Sequence, residues 1–122
     1  MGQSRRPSAS NGVSPPHRSL GIYGLGRFGR FYAELLSRYT RVEAYSRNPE
    51  NPAPRGVRRG DEAELCDQPV IILCVAISGL REVLRRLAPR LKPGTLVMDT
   101  CSVKSMPVQW MKDLLPREVK IL

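Results

Sequence analysis

The chain has 122 residues and a formal net charge of +9, with 41% hydrophobic and 25% charged residues, the balance of an ordinary soluble globular domain with a modest core. No apolar run approaches the roughly 20 residues that span a bilayer. The basic N-terminus lacks the apolar stretch of a secretory signal, so nothing in it argues for export, and the expected location is cytoplasmic.

Residues 1–18 are Ser, Pro, Arg, Asn and Gly without apolar periodicity, so they are expected to form a disordered basic tail. Order is expected over 19–122. A first strand is expected from Leu20 to Tyr23, then a helix from Arg27 to Arg38 with Phe28, Phe31, Leu35 and Leu36 at helical spacing. A second strand runs from Arg41 to Ser46, with Val42 and Ala44 on one face. The stretch from Asn48 to Gly60 is rich in proline and glycine and reads as a loop, with room for a short strand at Val57. Asp61 suits the N-cap of a short helix through Cys66, with Glu64 as its capping-box partner.

The run Val70-Ile71-Ile72-Leu73-Cys74-Val75-Ala76 is apolar on both faces, as a central parallel strand covered by helices must be. A helix follows from Leu80 to Leu87, with Leu80, Val83, Leu84 and Leu87 on one face. Pro93-Gly94 is a turn, and Thr95 to Met98 is the next strand. A helix from Val103 or Ser105 to Leu115 accommodates Pro107 in its first turn. Val119 to Leu122 begins one more strand. Strands alternating with helices imply right-handed crossovers and a parallel sheet, so the fold class is α/β, a Rossmann-type doubly wound sheet in a single domain.

The first crossover carries the chemistry. Gly24-Leu25-Gly26-Arg27-Phe28-Gly29 is a G-x-G-x-x-G motif, weak alone but informative between a strand and a helix. A dinucleotide pyrophosphate needs backbone N–H donors with no side chains in the way. Gly24 permits the tight turn, Gly26 lets the backbone approach the phosphates, and Gly29 lets the helix pack on the strand. The helix N-terminus supplies orphan N–H groups and a positive dipole end. Another glycine-rich α/β turn is the bland alternative.

The second strand tip should meet the adenosine ribose. Ser46 falls there, 22 residues beyond Gly24, and Arg47 follows it. An NAD binder would carry an acid to hold the ribose hydroxyls. A hydroxyl and a guanidinium instead suit a 2′-phosphate, so NADP is favoured over NAD, with Arg27 able to add positive charge. Glu43 is the competing acid, but it lies mid-strand. An ordinary polar strand end would also fit Ser46-Arg47. Cys74, Val75 and Ala76 end the central strand at the cofactor cleft. Asp99 and Ser102, after the following strand, should face the cleft near the nicotinamide, and either could equally cap the next helix.

The remaining charge is spread over Arg5, Arg6 and Arg18, over Arg55, Arg58 and Arg59, and over Arg81, Arg85, Arg86 and Arg90. Without a recognition helix or an aromatic-interleaved basic stripe, no nucleic-acid partner is expected. Cys66, Cys74 and Cys101 are an odd count with no metal-type spacing, so reduced thiols and no metal are expected.

The glycine loop, the strand from Val70 to Ala76, Leu91-Lys92-Pro93-Gly94-Thr95-Leu96-Val97-Met98-Asp99 and Ser102-Val103-Lys104 together resemble the nucleotide-binding domain of prephenate/arogenate dehydrogenases, over roughly Leu20 to Leu122. The resemblance implies oxidation of a cyclohexadienol at its ring hydroxyl in tyrosine biosynthesis. Hydride passes to NAD(P)⁺, and CO₂ is lost as the ring becomes aromatic. It places Ser102 near the reacting hydroxyl and the cofactor, and implies a small-molecule substrate, prephenate or arogenate. The Ser46-Arg47 pair resembles that of NADP-preferring members. The family's general base is a histidine in a His-Pro element beyond the strand that begins at Val119, and a helical domain that usually forms a homodimer follows it. The chain ends at Leu122, and its histidine, His17, lies in the tail. A fragment that holds cofactor without turnover is therefore expected. A stand-alone dinucleotide-binding or sensing module, and a related β-hydroxyacid dehydrogenase or imine reductase, are the other readings.

Overall fold

The computed structural model describes residues 19–101 and 105–122. The expected tail over 1–18 lies outside the described residues, as do Ser102, Val103 and Lys104. Strands β1 (Ser19–Tyr23), β2 (Arg41–Tyr45), β3 (Val57–Arg59), β4 (Val70–Leu73), β5 (Leu96–Asp99) and β6 (Lys120–Ile121) alternate with helices α1 (Arg27–Leu36), α2 (Glu62–Leu65), α3 (Ile77–Leu87) and α4 (Ser105–Leu114). The strands form one sheet in the order β3-β2-β1-β4-β5-β6. Each neighbouring pair is parallel. This is the strand order of the doubly wound Rossmann sheet, as expected from the βα alternation. The chain direction across the sheet reverses between β1 and β4. A crevice therefore opens beyond the carboxyl ends of these two strands.

Right-handed crossovers put α1 on one face of the sheet and the later helices on the other. The larger core joins Leu65 of α2, Leu80, Val83, Leu84 and Leu87 of α3, and Met111 of α4 to Tyr23, Ile71, Leu73 and Val97 of the sheet. Each wholly buried leucine there contributes about 1.5–3 kcal/mol through removal of its apolar surface from water. The smaller core, under α1, holds Ile22, Leu25, Ala33, Val42, Ala44 and Ile72. No helix of the described residues is long and apolar enough to cross a membrane.

Four expectations need correction. Of the expected stripe Phe28, Phe31, Leu35 and Leu36 on α1, Leu36 packs against the core, but the two phenylalanines do not face inward. Phe28 is 52% and Phe31 65% exposed, while Gly29 and Ala33 are buried. Gly29 and Ala33 let α1 lie close against the sheet, and Tyr32 and Leu36 pack at the margin of the same core. The central strand ends at Leu73 rather than Ala76, because its partners run out: Tyr23 and Asp99 both pair at Leu73. Apolar composition extends further than pairing does. Finally, α3 begins at Ile77 rather than Leu80, with Ala76 as its extended N-cap, and α1 ends at Leu36 rather than Arg38.

The short helix after Asp61 forms as the sequence indicates. The Asp61 carboxylate accepts from Glu64 N at 2.7 Å, and the Glu64 carboxylate accepts from Asp61 N at 2.9 Å. This reciprocal box satisfies two donors that a four-residue helix would otherwise leave orphaned.

Candidate functional site: the crevice at the sheet reversal

The three motif glycines are glycine for different physical reasons. Gly24 has φ +109°, and a Cβ there would stand 2.4 Å from the Cys74 carbonyl oxygen. Turn geometry and close approach both require it. A Cβ on Gly29 would stand 1.9 Å from the Gly24 carbonyl oxygen, so helix-on-strand packing requires that glycine. At Gly26 the backbone is extended, with φ −70°, and a Cβ would meet no atom of the described residues within 4 Å. Nothing among the described residues demands a glycine there. The open space lies at the N-terminus of α1, where backbone N–H groups lack intrahelical partners. Within the loop Leu25 is buried in the α1 core, whereas Gly26, Arg27 and Phe28 are exposed. This bare, donor-rich backbone fits a dinucleotide pyrophosphate.

The loop is fixed from both sides. Gly24 N donates to Tyr45 O at 2.7 Å, and Cys74 N donates to Tyr23 O at 2.8 Å. Cys74 and Val75 flank Gly24 directly, since a Cβ on Gly24 would also meet Val75 at 3.3 Å. The structure thus brings Cys74, Val75 and Ala76 to the lip of the crevice as a loop rather than a strand. Burial pushes the Cys74 thiol up to about 11, against an opposing hydrogen bond with Thr100. Cys66 is likewise pushed up to about 11 by burial and, second, by the charge of Glu62. Both therefore remain thiols near neutrality and are poor nucleophiles.

Beneath the crevice lies a charged cluster that sequence reasoning missed. The Tyr23 hydroxyl, at the last residue of β1, donates to Glu62 Oε2 at 2.7 Å. Arg86 Nε donates to Glu62 Oε2 at 3.0 Å and its second nitrogen to Oε1 at 3.0 Å. Arg90 approaches Glu62 Oε1 at 3.3 Å. Burial raises the pKa of the Glu62 carboxyl, but hydrogen bonds from Arg86 and Tyr23 and the charges of Arg86 and Arg90 outweigh it, so the group titrates below the ordinary carboxylate range. Burial first, and the hydrogen bond to Glu62 second, push the Tyr23 phenol well above its usual value. The cluster locks the end of β1, α2 and α3 together just below the glycine loop. No spacing rule could have paired Glu62 with arginines 24 and 28 residues away. A buried acid on a helix opposite an arginine-rich helix was the available signal.

At the tip of β2, Ser46 is buried and Arg47 exposed. The Ser46 hydroxyl oxygen accepts from Asn48 N at 3.2 Å and from Asn51 Nδ2 at 3.4 Å. Ser46 therefore shapes the turn that follows, as the bland reading of a polar strand end has it. Its hydroxyl proton is not used by those two bonds. Glu43 does not reach the tip: it pairs with Arg58 on the α2 side of the sheet. At the tip of β5, Asp99 is buried and its Oδ1 accepts from Cys101 N at 2.8 Å. Thr100 Oγ1 donates to Leu73 O at 3.0 Å, which ties this turn to the end of β4. Asp99 thus sits at the crevice end of the sheet, while Ser102 lies outside the described residues.

Residues 45–122 match the family model described as prephenate dehydrogenase, nucleotide-binding domain. The chain belongs to the prephenate dehydrogenase family. Among curated relatives, arogenate dehydrogenase 1, chloroplastic, of Arabidopsis thaliana is 32% identical over 95% of this chain. Arogenate dehydrogenase 2, chloroplastic, of the same plant is 34% identical over 84% of it. The chain spans 19% and 31% of the length of these two relatives. Among solved structures, Synechocystis arogenate dehydrogenase superposes with a TM-score of 0.67 at 27% identity, over 79% of this chain and 37% of that one. The prephenate dehydrogenase family is an NAD(P)-dependent one, so a nicotinamide dinucleotide is the cofactor class of the matched domain. Membership does not favour the stand-alone module, the β-hydroxyacid dehydrogenase or the imine reductase readings.

Proposed function

We propose that this chain is the cofactor-binding part of an NADP-preferring arogenate or prephenate dehydrogenase, which oxidises a cyclohexadienol with loss of CO₂ in tyrosine biosynthesis. The observation that carries the reading is the open space over Gly26, the motif glycine whose lack of a side chain no described residue uses. When bound, the dinucleotide supplies the hydride acceptor. The chain's own residues hold it. Backbone N–H groups at Gly26, Arg27 and Phe28 would meet the pyrophosphate, with the α1 dipole favouring its charge. Cys74, Val75 and Ala76 line the opposite lip, and Asp99 borders the nicotinamide end.

The NADP preference rests on charge at the β2 tip. Arg47 is exposed there beside Ser46, and Glu43, the acid that would serve an NAD ribose, is committed to Arg58. Ser102 is the residue proposed to orient the substrate's ring hydroxyl, on the resemblance of Ser102-Val103-Lys104 to the family element. The names of both Arabidopsis relatives weigh toward arogenate as substrate. A homodimer of the whole protein is part of the same proposal.

Titration of the chain with NADPH and NADH, followed by nicotinamide fluorescence, tests this reading. Saturable binding with NADPH tighter than NADH is expected. Binding that is tighter for NADH, or absent for both, counts against it.

A further inference from the structure

We infer that Arg59 is a positioning residue for cofactor choice, setting the loop that presents Arg47 to the 2′-phosphate. This inference rests on the NADP reading above.

Arg58 and Arg59 are consecutive on β3, so their side chains leave opposite faces of the sheet. Arg58 turns toward α2 and is neutralised by Glu43 and Glu64. Arg59 shares its face with Val57, which packs against the α1 core. There its guanidinium runs up beside Ala44, its register partner, to the loop beyond β2. One guanidinium nitrogen donates to Ser46 O at 3.0 Å and to Asn48 O at 3.3 Å. These two carbonyls bracket Arg47. The same loop is closed by Asn51 N donating to Asn48 O at 3.1 Å and by Asn48 N and Asn51 Nδ2 donating to Ser46 Oγ. Arg59 is thus the strut behind a turn whose outward residue is Arg47.

Two further facts separate Arg59 from a generic surface arginine. Its guanidinium meets carbonyl oxygens and no carboxylate among the described residues, so its charge is uncompensated. Its other terminal nitrogen is buried without a hydrogen-bond partner among the described residues. Buried donors are seldom left unsatisfied, and one held beside a binding loop calls for a functional reason. Placed behind the β2 tip, that charge makes the local field positive where an extra phosphate would sit. The fixed peptide geometry also spares Arg47 the ordering that an unsupported loop would require on binding.

The test compares the parent chain, Arg59→Met, Arg59→Lys and Arg47→Ala by NADPH and NADH titration, with thermal melting alongside. The Arg59→Met variant is expected to weaken NADPH about tenfold, and Arg59→Lys, which keeps the charge, about threefold, with NADH within about twofold in both. A merely structural role would weaken both nucleotides together. Equal losses, or unchanged NADPH binding in the folded variants, would overturn the inference. Should Arg59→Met fail to fold, Arg59→Lys carries the same comparison. A parent that prefers NADPH and loses the preference in Arg47→Ala but not in the Arg59 variants would sink the role of Arg59 alone. A parent with no NADPH preference would remove the NADP reading and this inference with it.

Discussion

Gly26 and Gly29 lead to opposite outcomes for the same substitution. A methyl group at Gly29 collides with the Gly24 carbonyl at the base of the loop. Gly29→Ala is therefore expected to cost at least about 1–3 kcal/mol of folding stability, the usual penalty for overpacking. At Gly26 the methyl meets open space at a φ that alanine adopts freely. Gly26→Ala should melt within about 1 kcal/mol of the parent yet lose most of its NADPH affinity. Paired melting curves and titrations check both. A Gly26→Ala variant that binds as well as the parent would place the pyrophosphate elsewhere. At the β2 tip, Arg47→Ala should weaken NADPH about tenfold or more, the scale of a charge-assisted hydrogen bond, and leave NADH nearly unchanged. These residues were legible because the motif states its own spacing. Arg59 was visible only as one of three arginines in a loop. The alternation of a strand, once β3 exists, is what sends it to the Ser46 turn instead of to Glu43.

At the scale of elements, packing decided what periodicity left open. Helix α1 carries two apolar stripes, Phe28 and Phe31 on one and Gly29 and Ala33 on the other. The buried one centres on the small Gly29 and Ala33, with Tyr32 and Leu36 packed at its margin. The exposed Phe28 ring instead stacks on Tyr32, with centroids 5.4 Å apart. The apolar run after Val70 overstated β4 because the ladders to β1 and β5 both end at Leu73. The capping box at Asp61 was legible in full, since it depends on two residues three apart. Asp61→Ala should cost about 1 kcal/mol, measurable by chemical denaturation. The Glu62 cluster was not legible, because it joins α2 to α3 through the fold. Glu62→Gln is expected to cost about 1–2 kcal/mol at neutral pH, discounted because Arg86 and Arg90 are partly solvated. The sign with pH follows from the depressed titration of Glu62. Its contribution is complete above the ordinary carboxylate pKa of about 4.3–4.5 and fades as pH falls through the lower folded value. The stability gap between parent and Glu62→Gln should therefore close in acid. A gap independent of pH down to about 3 would contradict the ion-pair account.

For the whole molecule, alternation and handedness made a parallel doubly wound sheet readable from the sequence, and the glycine motif at the first crossover pointed to the Rossmann type; the structure supplies the order β3-β2-β1-β4-β5-β6. It places the glycine loop, the Arg47 turn and the Cys74–Ala76 lip around one crevice, though they come from three separate stretches of chain. That crevice is the proposed dinucleotide site, with its adenosine end selecting for the extra phosphate. The most direct measurement is amide chemical-shift mapping of the isotopically labelled chain titrated with NADPH and, separately, with NADH. Both nucleotides should shift Gly24 to Gly29 and Cys74 to Ala76, and NADPH alone should strongly shift Ser46 to Asn48. Shifts centred away from the glycine loop, or a β2 tip that responds equally to both nucleotides, would contradict the account.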